Sequence, residues 1–250
     1  MPDPVNRAVS TTREQNRVDT MQRIVEASRR LVTGTGEMTL RAVANEVGMT
    51  PPAIYRYVHN HEELVRIVAM DIDASAAAQI AVARDTQAED DPAARMVASA
   101  VEFRQWALSH REEFSLVFTN LDVSCIEELQ TESKTGLLFS ELLFQVWARY
   151  QFPVPRLEDL DPDLVEILRD PMVPADLTGV PDEMRPLIWL LQRAWAALYG
   201  TVTLEVYGHI DPRIVEHALL FRAMVEDQAR PLGLTEEMPR LRKVIDSMLA

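Results

Sequence analysis

Cysteine is almost missing from this 250-residue chain. With Cys125 alone, no intrachain disulfide can form, and the composition suits a reducing compartment, so the expected location is cytoplasmic. Long apolar runs are missing too. The most apolar stretch, Pro186 to Leu191, is followed at once by Gln192 and Arg193, far short of the about 20 apolar residues a spanning helix needs. The polar amino-terminal stretch lacks the apolar core of a signal peptide, and no membrane partner is expected. Internal repeats and low-complexity tracts are absent. Metal-ligand spacing is lacking: His59 and His61 stand alone, and His209 and His217 have no cysteine or paired acid at ligand spacing. Gly34 and Gly36 are too few and poorly placed to cradle a phosphate, and Cys125 has no base beside it in sequence. Acidic runs at Glu89 to Asp91 and Glu158 to Asp163 read as solvated helix caps. The expectation is therefore a chain that is not an enzyme, with no metal and no cofactor.

What is present is ordinary globular composition, 47% apolar and 26% charged, in a length that holds one large or two modest domains. The formal net charge of −14 is divided unevenly. Residues 1–70 carry nine arginines and eight acidic residues, net +1, whereas 71–250 carry 16 basic and 31 acidic residues, net −15. Affinity for nucleic acid depends on the basic groups that face phosphates, so the acidic second part is compatible with a nucleic-acid-binding first part.

The most specific segment runs from Thr39 to Val65. Thr39 is placed to cap a short helix with Leu40, Val43, Ala44 and Val47 on one face. Gly48 ends it, and Met49 plugs the turn. Thr50 is placed to cap a second helix with Pro51 and Pro52 in its first turn. There Ile54 and Val58 face inward, while Pro52, Ala53, Arg56, Tyr57 and the Tyr55 hydroxyl face out. A short helix with a bulky, hydrogen-bonding outer face fits a DNA major groove about 12 Å wide. Asn60 is placed to cap the next helix, and His59 and His61 beside that N-terminus suit a phosphate.

Thr39, Arg41, Val43, Ala44, Val47, Gly48, Met49 and Thr50, then Ile54, Tyr55, Tyr57 and Val58, then Leu64, together resemble the DNA-binding domain of TetR-family transcriptional regulators. The family has lysine where this chain has His61, and a mostly neutral imidazole can donate a hydrogen bond but brings less charge. The resemblance implies phosphate contacts at Thr39, Thr50, Tyr55, Tyr57, His59 and His61. It implies base-edge or thymine-methyl contacts at Arg41, Pro51, Pro52 and Arg56, with Ala53 on the same face. Trp195 to Gly208 is similar to the regulatory domain of a subgroup named for a Trp-His-Gly signature, with Tyr199 in place of histidine, and Phe103 to Phe118 resembles that subgroup's earlier helices.

The periodicity predicts an all-α fold: a disordered arm over 1–12, a helix-turn-helix domain over 13–66 and a helical regulatory and dimerisation domain over 67–250. Arg7, Arg13 and Arg17 form either a minor-groove arm or a solvated tail. The helix from His61 into the alanine-rich stretch Ala74 to Ala83 would act as a lever between reading domain and regulatory domain. Further helices are expected over Ala93–Leu108, His110–Phe118, Ile126–Tyr150, Arg185–Gly208 and Arg213–Ala229. Phe103, Trp106, Phe114, Phe118, Phe144, Trp147, Trp195 and Tyr199 are either plain core or the lining of a small-molecule pocket. The proline-rich segment Gln151 to Pro186 is either a flap or a surface loop. Glu205, inside an apolar helix, would pair across a dimer, hold a ligand's polar group or face water.

Helices 185–208 and 213–229 have more apolar surface than one core needs and are expected to form a homodimer. The implied partners are a palindromic double-stranded DNA operator and a small-molecule effector, and the implied activity is repression relieved by an apolar ligand. The rival expectations are a TetR-like activator or ligand-independent regulator, and a helical small-molecule-binding protein or enzyme without operator binding.

Overall fold

The computed structural model describes residues 4–34, 37–118, 131–175, 177–178 and 180–250, with side chains from residue 14 onward, and among these residues the regular structure is helical throughout. Cys125 and the first part of the helix expected over 126–150 lie outside the described residues. The helices are α1 (Pro4–Thr33), α2 (Leu40–Val47), α3 (Pro51–Ile54), α4 (His61–Arg84), α5 (Pro92–Ser109), α6 (Arg111–Phe118), α7 (Lys134–Tyr150), α8 (Pro162–Arg169), α9 (Pro186–Val206), α10 (Pro212–Glu216), α11 (Leu219–Ala229) and α12 (Met238–Leu249).

They fall into two compact units. The first runs to Ile72 and takes in α6 from Glu112, so the boundary lies six residues beyond position 66 and inside α4. The second holds the rest of α4, then α5, α7 and everything after it. Helix α1 begins at Pro4, within the span that composition assigns to a disordered arm. Proline at a helix start lacks only an N–H that would have no intrahelical partner there, and no further proline interrupts the helix.

In the first unit, α1 is the strut. Its Ile24 and Ala27 pack with Val43 and Ala44 of α2, Ile54 and Val58 around α3, and Leu64 and Val68 of α4 in a core closed to solvent. Three arginines of α1 bind its neighbours. Arg23 Nη2 donates to the Val47 carbonyl at the end of α2 (2.9 Å), and Arg30 pairs with Glu46 (3.2 Å). Arg29 grips Glu113 through Nε and Nη2 (2.9 and 3.2 Å) and Asp71 through Nη1 (2.9 Å), fixing α1 to α6 and α4.

In the second unit the helix ends are tied by side chains from distant sequence. The fully buried Asp73 of α4 accepts from Ser133 Oγ (3.0 Å) and from the Lys134 and Thr135 N–H groups (2.5 and 3.4 Å), placing a carboxylate at the positive end of α7. Asp91 caps α5 by accepting from Ala94 N–H (3.0 Å) and holds Arg240 of α12. Burial raises the Asp91 carboxyl, but Arg240 and the Ala94 and Ala93 N–H groups outweigh it and hold the group below its usual range.

The stretch 213–229, expected as one helix, is two. The Val215 carbonyl accepts from the Ala218 N–H (3.0 Å) and from Arg104 of α5 (2.6 Å), where a continuous helix would offer it to Leu219, and Ala218 turns left-handed at φ +51°. The same guanidinium lies over the Phe221 ring and pairs with Glu205 of α9 at 2.5 Å, both side chains sealed from water. Glu205 thus pairs within its own chain. Burial raises its carboxyl above the ordinary range, with Arg104 opposing.

The proline-rich segment is packed. Short 3-10 turns at Leu157–Asp159 and Asp182–Met184 flank α8, and Leu168 and Val173 bury against Ile188 at the start of α9. The Pro174 ring sits where a Cβ on Gly136 of α7 would lie, 2.4 Å from its Cγ, so glycine there permits the contact.

Two outcomes follow. Asp73→Ala strips the partner from two N–H groups and one hydroxyl, and urea denaturation should register a loss of about 3 kcal/mol. An unchanged midpoint would remove Asp73 from this role. Because the folded Glu205 carboxyl is raised, its contribution is fully present below the ordinary glutamate value of 4.5 and is lost as pH rises through the folded value. The urea midpoint of Glu205→Gln should therefore climb relative to wild type from pH 4 to pH 7, and a relative fall would contradict it.

Candidate nucleic-acid interface and ligand cavity

The two helices α2 and α3 and the start of α4 present most of the residues that the sequence marks for DNA. Thr39 adopts extended backbone and its hydroxyl accepts from Ala42 N–H at 3.1 Å, as an N-cap does. Gly48 turns left-handed at φ +76°, its N–H returning to the Ala44 and Asn45 carbonyls, and Met49 N–H also bonds the Ala44 carbonyl (2.8 Å). The chain is thereby swung sharply into α3.

The start of α3 corrects one expectation. Thr50 occupies the N-cap position, but its hydroxyl makes no capping bond. Pro51 and Pro52 supply no N–H, and the next donor, Ala53 N–H, goes to the Thr50 carbonyl at 2.8 Å. The Thr50 hydroxyl is left on an exposed residue. Helix α3 is one turn long, prolonged by bonds from Tyr57 and Val58 N–H to the Ile54 carbonyl (2.9 and 3.0 Å).

Pro51, Pro52, Arg56, His59 and His61 are exposed, as are Thr39 and Arg41, while Ala53 and Tyr57 are half-buried. Tyr55 is 54% exposed although its neighbour Ile54 is fully buried. The Arg17 guanidinium of α1 stands 6.0 Å from the centre of the Tyr57 ring, a cation–π contact that adds a basic group beside this face. Arg17 therefore has a fixed place in the first unit, whereas the side chains of Arg7 and Arg13 lie outside the described residues.

At α4, Asn60 Oδ1 accepts from Glu63 N–H (2.8 Å), and Glu63 reaches back to the His59 N–H (2.6 Å) and ring Nδ1 (2.7 Å). The His59 backbone N–H, then its ring, hold the Glu63 carboxyl below the ordinary range. His59 is thus tied to a carboxylate, and His61 occupies the first position of α4.

The second unit contains an apolar cavity of about 80 Å³ between α5, α7, α9, α11 and α12. Of the eight aromatic residues singled out in sequence, Trp195 alone lines it. Phe103 is fully buried behind the wall, 5.4 Å from the Trp195 ring and 6.1 Å from Phe139. Trp106 stacks on His110, and Tyr199 on Trp195. Phe144 and Trp147 are half-buried on α7 and do not line the cavity, although Trp147 follows Leu143 by one helical turn. Phe114 and Phe118 pair with each other in α6, part of the first unit.

The wall is mainly aliphatic and thioether: Met96, Met224 and Met238 line it, with Phe139, and Gln228 is its one polar side chain. Sequence reasoning passes over these because a methionine at helical spacing reads as core. Gln228 follows Glu226 and Asp227 in sequence and reads as surface there, and only the structure sets it beside buried Val225 and Ala229. Among the described residues no group of three or more His, Cys, Asp or Glu is placed to hold a metal ion, and no helix is long and apolar enough to cross a membrane.

Comparison with known proteins agrees with this architecture. Over 98 residues the chain is 33% identical to HTH-type transcriptional regulators of Mycobacterium bovis (Mb1846) and Mycobacterium tuberculosis (MT1864 and Rv1816). That match covers 38% of this chain, and the chain spans 42% of the length of each of these curated relatives. The crystal structure of a candidate regulatory protein, SCO4313, superposes with a TM-score of 0.57 at 20% identity, covering 86% of this chain and 97% of that one, a likeness of fold. Residues 96–228, more than half of the chain, match the model of the tetracyclin repressor-like C-terminal domain, and the chain belongs to that TetR family.

Proposed function

We propose that this chain is a sequence-specific DNA-binding regulator of transcription that acts as a homodimer on a palindromic operator. The observation that carries this reading is the outward face of α3. Pro51, Pro52, Tyr55 and Arg56 stand exposed on a turn whose other side is locked into the core by Ile54 and Val58. A short rigid element presenting a guanidinium and a phenol is suited to base edges and phosphates in the major groove. In this assignment Arg41 and Arg56, with Pro51, Pro52 and Ala53, meet bases or thymine methyls. Thr39, Tyr55, Tyr57, His61 and the uncapped Thr50 hydroxyl meet phosphates, and His59 does so once Glu63 releases it.

The second unit serves regulation and pairing. Leu204, Tyr207 and Leu219, at the end of α9 and the start of α11, are 38%, 40% and 53% exposed, and a second copy would cover them. Occupation of the apolar cavity by a small molecule would release the operator, which makes the protein a repressor.

Selection of duplexes from a random pool should return a palindrome, and its affinity should fall steeply and log-linearly with salt. Arg56→Ala should weaken that complex by about 1 to 3 kcal/mol and relax its sequence preference. Equal affinity of wild type and variant for the selected duplex and for random duplex would remove Arg56 from base reading.

A further inference from the structure

A second concavity adjoins the apolar cavity. It is a groove of about 790 Å³ formed by Pro153 to Pro155, the outer face of α9 and the chain from Asp227 to Leu232. Gln228 and Leu232 line both spaces, so the two adjoin at these side chains, and Leu190 on the groove is followed directly by Leu191 on the cavity. The two spaces differ in chemistry. The cavity offers Gln228 as its single polar side chain, whereas the groove carries Arg193 and Arg230 against one carboxylate, Asp227. Both arginines are exposed, and among the described residues neither lies within salt-bridge distance of an acidic group. In a chain of net charge −14, two arginines without an ionic partner at the mouth of an apolar space form a local exception.

We propose that the effector is a single-chain amphiphile with an anionic headgroup, carboxylate or phosphate. Its headgroup lies in the groove between Arg193 and Arg230, and its alkyl end passes Gln228 and Leu232 into the cavity. This rests on the reading of the cavity as the effector site and specifies the ligand's chemistry. Guanidinium groups meet carboxylate or phosphate with paired N–H donors, which favours an anion over a neutral head. At about 80 Å³ the cavity takes roughly three water-sized groups as it stands. Met96, Met224 and Met238 on its wall are unbranched and adaptable, so a longer chain is accommodated by moving side chains. Val154, Pro155, Leu190 and Ala196 supply apolar contact for the part of the chain still in the groove. The groove lies at the Arg193 and Arg230 end of the α9 and α11 pair, whereas the apolar surface assigned to self-association lies at the Leu204, Tyr207 and Leu219 end.

The test is titration of the full chain, without DNA, by calorimetry and by tryptophan fluorescence, since Trp195 lines the cavity. The probes are decanoate, decyl phosphate, 1-decanol and decyltrimethylammonium. At least one anionic probe should bind ten times more tightly than decanol, its identity naming the headgroup, and the cationic probe should not compete. Arg193→Gln combined with Arg230→Gln, two exposed positions, should reduce anion affinity about tenfold and leave decanol affinity unchanged. Decanol binding as tightly as the anions, absence of binding by both anions, or an unaltered preference in the double variant would overturn the proposal. The probe series on wild type decides the matter even if the double variant does not fold. Release of operator is scored separately: anion binding without release would leave the ligand chemistry and its site standing and refute both its role as effector and the repressor reading.

Discussion

A carboxylate sealed from water at position 73 organises much of the second unit. Asp73 lies on α4, and its oxygens take the N–H groups at the start of α7 together with the Ser133 hydroxyl. A buried charge is tolerable only when its acceptor capacity is filled, and unpaired N–H groups at a helix start need a partner. Each requirement satisfies the other, so α4 and α7 are held in one register by electrostatics rather than by apolar contact alone. The Arg104–Glu205 pair joins α5 to α9 less completely, through Glu205 Oε2 alone, while Oε1 is buried without a hydrogen-bond partner among the described residues, and a further Arg104 N–H reaches the Val215 carbonyl at the end of α10.

The first unit solves a different problem, which is to expose a chemically rich turn without letting it move. Consecutive prolines at α3 fix backbone angles and remove two N–H groups, which shortens the need for capping and frees the Thr50 hydroxyl. The core residues Ile54 and Val58 anchor the turn from beneath, and α1 braces α2 through Arg23 and Arg30. The outward residues are consequently displayed on a rigid base, and rigidity lowers the ordering cost of meeting a duplex.

Helix α4 contributes to both units, beginning with the Asn60 and Glu63 cap among the DNA-facing residues and later supplying Asp73. The cavity draws Phe139 from α7, the helix whose start Asp73 holds. The regulatory proposal accordingly concerns helices that are joined by directional bonds, and such bonds make a few discrete packings more accessible than a continuum.

Local sequence determined the elements whose cause is local. Thr39 capping α2, the left-handed turn at Gly48, the inward Ile54 and Val58 and the all-helical character follow from side-chain type and periodicity, because capping, φ preference and amphipathic spacing act within a few residues. The length of the chain's helices was legible to within a residue or two at α5, α6 and α9, and Pro92 and Pro186 mark the starts of α5 and α9. Tertiary structure decided the rest. A guanidinium arriving from 111 residues away bonds the carbonyl at the break in the stretch 213–229, and a carboxylate 60 residues away capped α7. The cavity wall was assigned by which sides of five helices converge, so methionines and Gln228 line it while most aromatic residues pack behind it or elsewhere. Periodicity says which side of a helix is apolar, but only the packed arrangement says which apolar side chain meets another and which meets a gap.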